Sequence, residues 1–400
     1  MDPGSRCDVS IRNNYNHTLY ASYVGYITQA IINNYAPLLF VTFSGEFGLP
    51  LDRMYLLVTV NFGLQLLVDL LGARYVDRIG YRKCVVAAHV FAAAGLAGMA
   101  LLPMVMPPLT GLLIAIVLYA LGGGLLEVLL SPIVEACPHT THKASAMSLL
   151  HSFYCWGHVF VVLVSTAFFV IFGRESWRFL ALVWALVPLA NALYFSRVPI
   201  AQLTEDGASM PIKKLLTMKV FWVFMLLMVC AGASEQGMSQ WASAFAEKGL
   251  QVDKTLGDLA GPCMFALLMG LARLLYARFG ARLRLKMVMA ASGCLCACSY
   301  LLAAFAPHPV LGLVGCGLCG LSAGIMWPGT FSLAAARCPT GGTAMFALYA
   351  LAGHLGCTAG PTLVGLGSGE SLSQGMRLGT LFPVLLLVGL LLLGREGEAR

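Results

Sequence analysis

Ala73-Arg74-Tyr75-Val76-Asp77-Arg78-Ile79-Gly80-Tyr81-Arg82-Lys83 is a short charged run between two apolar ones, 54–75 and 84–105. Each flank has about the 20 residues a helix needs to cross a hydrocarbon core. Four cations, one acid and a glycine between such flanks read as a tight reversal at a membrane face. The flanks predict two spanning helices, because lipid offers backbone polar groups no partner outside their own segment.

The pattern recurs along the chain. Apolar stretches lie at 17–43, 54–75, 84–105, 110–136, 145–172, 177–197, 219–246, 256–277, 286–306, 309–336, 343–368 and 376–394. They predict an all-α integral membrane protein of twelve transmembrane helices. Composition agrees: 59% of residues are hydrophobic and 11% charged, against about 25% charged for a soluble chain. The polar start, Met1 to Asn16, with Asp2, Arg6, Asp8 and Arg12, lacks the apolar core of a signal peptide.

Charge orients the helices. Of the 25 Lys and Arg, 18 fall in the N-terminus, the even-numbered loops and the C-terminus, and six in the odd-numbered loops. The positive-inside rule then places both termini in the cytoplasm, in a multi-pass protein of the cell (inner or plasma) membrane. The net charge of +7 is topology facing a lipid surface, so no nucleic-acid partner is expected. The thirteen cysteines sit almost all within spans. They read as small packing residues, and no metal or cofactor is expected.

The chain also repeats itself. Gly48-Leu49 with Asp52-Arg53 returns as Gly249-Leu250 with Asp253-Lys254, and Cys137-Pro138 as Cys338-Pro339, both 201 residues on. This predicts two six-helix bundles in the same orientation, 1–197 and 219–400, joined by a polar cytoplasmic linker at 198–218. Parallel halves of this kind form a transporter architecture with the solute between them near the midplane.

The opening run now carries a second meaning. A small residue followed by Asp77-Arg78, Gly80 and the basic pair Arg82-Lys83, between the second and third spans, resembles the loop signature of the major facilitator superfamily. The leading glycine of that signature is Ala73 here. The second half keeps a degenerate copy, Arg278-Phe279-Gly280 with Arg282 and Arg284. The resemblance implies a gating loop, Asp77, Arg78, Gly80, Arg82 and Lys83, that clasps the cytoplasmic side in one state. Gly122-Gly123-Gly124-Leu125-Leu126-Glu127 and the polar seventh stretch make the chain most similar, within the superfamily, to fucose-permease-like sugar:proton symporters. That likeness implies proton coupling through carboxylates on the first and fourth helices. Glu127 matches the fourth; Asn33-Asn34 stands where the first would be.

Charge buried in a membrane is costly and is a functional candidate by default. Glu127 lies roughly 13 Å from the cytoplasmic end of its helix at 1.5 Å per residue. Ser131 and Glu135 follow on the same face. The stripe reads either as a proton pathway through Glu127 and Glu135 or as a structural pair, with Arg273 as the cation. Glu235, a third coupling candidate, falls on Asn34 under the repeat. Gln29, Asn33, Asn34, Gln236 and Gln240 add amides, and Trp241 an apolar ring face, which suits a hydroxylated solute; interhelical hydrogen bonding is the alternative. His151 and Tyr154 share a face of the fifth stretch with His158 and join the solute-binding candidates. Asp69 reads equally as cavity-facing or as a cap on a neighbouring helix. Gly356 to Pro361 reads as a close-packing or hinge segment.

The expected function is secondary active transport of a small polar solute, a sugar by this reading, with protons, by alternating access and as a monomer. Efflux of amphipathic compounds by proton antiport, and a non-transporting membrane sensor, are the alternatives. No enzymatic activity is expected: the chain has no HExxH, no Asp-rich metal motif and no phosphate-binding glycine loop with lysine.

Overall fold

The computed structural model describes residues 11–138, 143–201, 212–279, 284–338, 342–369 and 371–394, apart from the side chains of 72–75, 77, 135, 143–148, 277–279 and 342–344. Among the described residues every regular element is helical. In the first half α1 is Tyr15–Leu38, continued as Phe40–Phe47; α2 is Tyr55–Ile79, α3 Tyr81–Leu101, α4 Pro108–Glu135, α5 Lys143–Phe172 and α6 Trp177–Phe195. In the second half α7 is Lys219–Ser239, extended by Ala242–Ala244 and a π turn at Phe245–Gly249. α8 begins as Lys254–Asp258, passes through a π turn at Leu259–Cys263 and continues as Met264–Phe279. α9 is Leu285–Phe305, α10 Pro309–Arg337, α11 Gly342–Leu366, and α12 is Leu372–Gly379 with Leu381–Leu392.

Ten of these spans are long and apolar enough to cross a membrane, counted among the described residues. The two that fall short are α1 and α11. α1 carries Gln29, Asn33 and Asn34, and α11 carries His354, Thr358 and Thr362. The spans least suited to lipid are thus the ones with most to hide from it.

The two halves use the same pairings six helices apart. α3 lies between α4 and α6, α2 packs on α4, and α1 on α5; likewise α9 lies between α10 and α12, α8 packs on α10, and α7 on α11. The fold is two pseudo-symmetric six-helix bundles. Without a hydrophobic force between helices in lipid, close packing depends on small residues. At α7–α11, a Cβ on Gly232 would stand 2.2 Å from the Gly353 carbonyl, and one on Gly356 2.0 Å from that of Val229. The bundles meet along two seams, α2 against α11 and α5 against α8.

Gly80 turns the chain between α2 and α3 with φ +97, a conformation L-residues with side chains rarely hold. Arg82 then donates to the carbonyls of Phe195 (2.9 Å) and Ser196 (3.1 Å), so the loop is tied to the last turn of α6, where a cation meets orphan carbonyls. Arg78 and Lys83 are exposed. The side chains of Asp77 and Glu135, the 202–211 part of the expected linker, and Gly280 and Arg282 lie outside the described residues, as does the side chain of Arg278. Below, the loop face is the end of the molecule that carries Gly80.

Candidate functional site

α1 and α2 bring their amides together because each places them one turn apart. Gln29 and Asn33 are four residues apart, as are Asn61, Gln65 and Asp69, so each set shares a helix face. Gln29 Nε2 donates to Gln65 Oε1 (3.0 Å); Gln65 Nε2 donates to Asn33 Oδ1 (2.9 Å) and Asn61 Oδ1 (2.7 Å); Asn61 Nδ2 donates to Asn33 Oδ1 (3.0 Å). All four side chains are buried. Asn34 turns back to the Ala30 carbonyl (2.9 Å).

α7 continues the network across the bundle interface. Gln240 Nε2 donates to the Asn33 carbonyl (3.1 Å) and to Gln236 Oε1 (3.0 Å), and Gln236 Nε2 donates to Glu235 Oε1 (3.1 Å). Away from the loop face the interface is shut. Trp241 is fully buried, donates Nε1 to the Pro361 carbonyl (3.0 Å) and tilts against Phe40 at 5.5 Å. Thr59 and Thr362 hydroxyls meet at 2.5 Å between α2 and α11. Further out, Arg174 reaches Glu247 across the bundles at 2.6 Å.

Towards the loop face the same interface opens. The Glu127 side chain is 29% accessible and that of Arg273 24%. His151, well inside α5 and 3.2 Å from the Tyr26 hydroxyl, is exposed. Groups at mid-helix that face neighbouring helices and still meet solvent line a cavity. Tyr154 and Trp327 are half-buried beside it, with the Tyr154 hydroxyl turned to Asn33 and Asn34.

Charges in this cavity are paired, as buried charges must be. His354 of α11 puts Nδ1 2.5 Å from Asp69 Oδ2 and Nε2 3.6 Å from Glu127 Oε1. Glu127 also accepts from Gln29 Nε2 at 3.3 Å. Arg273 lies 3.6 Å from Glu235, and donates to the Gly324 carbonyl (3.2 Å) and towards the Cys155 sulfur (3.2 Å).

This architecture is shared with known proteins. The model of the Major Facilitator Superfamily matches residues 22–361. The chain belongs to that superfamily of transporters. Its fold is similar to that of a variant of the E. coli fucose:proton symporter FucP, with TM-score 0.65, 15% identity, and 94% of this chain and 98% of that one covered. A second structure of FucP, a Major Facilitator Superfamily transporter, in the outward conformation gives TM-score 0.64 with the same identity and coverage. No curated protein sequence matches this facilitator.

Within this facilitator the structure brings Gln29, Asn33, Glu127, His151, Tyr154, Glu235, Gln236 and Gln240 to the bundle interface. Two expectations are corrected. Arg273 partners Glu235 rather than Glu127, because its helix packs on α10 and α5, which leaves the guanidinium within reach of α7 but not of α4; the cationic partner of Glu127 is His354. Trp241 presents no ring face to the cavity, since its indole is enclosed in the closed end. Ser131 follows Glu127 as expected and lies 3.3 Å from the Tyr26 hydroxyl; His158 is buried packing. Asp69 faces α11. Sequence reasoning missed Asn61, Gln65 and His354. The four-residue spacing 61–65–69 was available, and His354 is the one ionisable histidine of the eleventh stretch, a candidate by the rule that picked out Glu127.

Proposed function

We propose that this facilitator carries a small neutral polar solute of the sugar class together with protons, by alternating opening of the two faces. The bundles 1–197 and 219–400 rock as units on the 198–218 linker, both termini lie in the cytoplasm of a cell (inner or plasma) membrane, and the monomer is the working form. The loop face is then the cytoplasmic one, and the conformation described is open inward.

The observation that carries this reading is the amide network of α1, α2 and α7 bordering a cavity in which every acid lies beside a cation, Asp69 and Glu127 sharing His354 and Glu235 facing Arg273. Amides offer both donors and acceptors at fixed spacing, which suits a polyhydroxylated ring. Three cavity acceptors, Gln29 Oε1 and both Asp69 carboxylate oxygens, have no hydrogen-bond partner among the described residues; Asp69 Oδ2 is held by charge alone against His354, and Gln29 Oε1 and Asp69 Oδ1 are available to solute hydroxyls after a small rearrangement. Tyr154 and Trp327, rather than Trp241, supply the apolar face. An amphipathic drug would call for an apolar cavity wall in place of the amides. The fucose:proton symport of the structural relative supports the sugar class only by analogy.

The test is transport by purified protein in liposomes holding a pH-sensitive dye, with sugars, polyols, amino acids and organic cations added in turn. Interior acidification with a sugar is the expected result. A response to amphipathic cations alone overturns the sugar reading. In Glu127→Gln, proton-driven accumulation is lost while solute counterflow persists; accumulation at the wild-type level removes Glu127 from the coupling.

A further inference from the structure

We propose that His354 is a coupling residue: with Asp69 and Glu127 it forms a lock between the bundles that a single proton releases, and so sets which face is open. The proposal rests on the proton-coupled reading above and deepens it.

Placement comes first. Asp69 and Glu127 belong to the first bundle and His354 to the second, so their contacts cross the interface. They stand at the inner end of the α2–α11 seam. From there to the closed face the seam runs through Gly63 with Thr358, Thr59 with Thr362, and Gly365 with Tyr55, all uncharged. Nearer the loop face Leu70 and Leu71 of α2 are exposed. The lock therefore closes the seam at the point where the cavity begins. A histidine with a carboxylate oxygen near each ring nitrogen, at 2.5 and 3.6 Å, is placed as the cation of an ion-pair cluster; the contacts are electrostatic, without hydrogen-bond geometry.

Charge counting gives the number of protons. Among the described side chains, the ionisable groups around the lock are Glu127 from α4, Asp69 from α2, His151 from α5, Tyr26 from α1 and Cys357 from α11, with the Arg273–Glu235 pair of α8 and α7 in the same cavity; α10 contributes the Trp327 ring, 5.7 Å from that of His354. With His354 charged and His151, the phenol and the thiol neutral, three carboxylates face two cations. One proton leaves the cavity neutral, the cheapest state in which to enclose it in a membrane. Glu127 is the receiving group. It is more accessible than Asp69, 29% against 12%, and its contact with His354 is the longer, 3.6 against 2.5 Å. Hydronium from water in the cavity gives its proton to the Glu127 carboxylate and leaves as water; no other bond changes. The neutral carboxyl no longer holds the imidazolium, and one of the two charged contacts between α11 and the first bundle is gone. By linkage, protonation and closure of the α2–α11 seam then oppose each other.

The proposal is tested without a solute. Asp52 is exposed at the start of the seam, and a Cβ at Gly369 meets nothing within 4 Å. Spin labels go on Asp52→Cys and Gly369→Cys, with Cys7, Cys294 and Cys298 replaced, and the distance distribution of the full chain in lipid nanodiscs is read from about pH 8 to about pH 5. The wild type is expected to gain a longer-distance population as pH falls. The long:short ratio should rise at most about tenfold per unit, the slope of one linked proton. His354→Gln and Asp69→Asn should show the long population already at the upper pH, with the pH response flattened in both. A wild-type distribution that ignores pH, a slope near two, or a His354→Gln response equal to wild type each overturns the proposal. So does opening by tetraphenylphosphonium, but not by acid, which would make the spare negative charge a cation site. Failure of every sugar in the liposome assay beside an intact pH response would instead overturn the symport reading and leave the lock standing.

Discussion

The two seams between the bundles occupy equivalent places in the repeat, α2 with α11 and α8 with α5, yet their chemistry differs. At α2–α11 the charged contact is His354 against Asp69, 2.5 Å across the interface. At α5–α8 the cation is Arg273; its cross-bundle contact is the neutral Cys155 thiol, and its carboxylate, Glu235, lies on its own bundle. A guanidinium keeps its charge at any physiological pH, whereas an imidazole with a carboxylate can exchange protons there. The packing differs at the closed end of the seam. A Cβ on Gly365 of α11 would come 2.3 Å from that of Tyr55, while one on Gly270 of α8 would find Cys155 at 3.7 Å. One seam is tightly fitted at its closed end, though at Gly63 it leaves 3.8 Å to Thr358, and is joined by titratable charge; the other's charge is permanent and internal. A repeated scaffold can thus divide labour, with one seam proposed to respond to protons and the other to hold its bundle together.

The comparison can be broken at several points. The largest effect is expected from Arg273→Met, which strands Glu235, 7% exposed, without its cation. Removing one partner of a buried pair costs about 3–5 kcal/mol, seen as a lower unfolding midpoint in detergent, and adding Glu235→Gln should recover most of it. A single variant as stable as wild type would show that the Arg273–Glu235 pair carries no structural load. Gly365→Ala is next. Overpacking costs about 1–3 kcal/mol, or the seam parts and the Asp52–Gly369 label pair moves outward at high pH. Gly270→Ala should stay within about 0.5 kcal/mol; equal effects of the two would erase the contrast in packing. The smallest is Cys155→Ser, which keeps a polar partner for Arg273. It should leave the pH response of the other seam at wild type, and a change there would mean the seams are not independent.

Much of the fold was legible because its signals are local. Each span announces itself in about 20 apolar residues, and Gly80 and the basic pair mark the reversal between α2 and α3. The site was legible in part. Gln29, Asn33, Glu127 and Glu235 stand out because a polar side chain in an apolar run needs a reason. The pairing was not legible. Nothing near position 127 shows that its partner is His354, 227 residues later, rather than Arg273. That depends on how α11 is rotated and how closely Gly232 and Gly356 let it approach α7. Trp241 shows the same limit from the other side: an indole beside amides looks like a solute platform until Phe40, Pro361 and Gly365 are seen to enclose it.

By itself the sequence determined that the chain lives in a membrane, as twelve helices in two like halves, because transfer to lipid is decided segment by segment and repetition survives as spacing. Only the tertiary structure decided which charges meet, which end is closed and which ring faces water. Those depend on distances between side chains of different helices, and a few ångströms of helix rotation or approach, invisible in any one segment, separate an ion pair from an orphan.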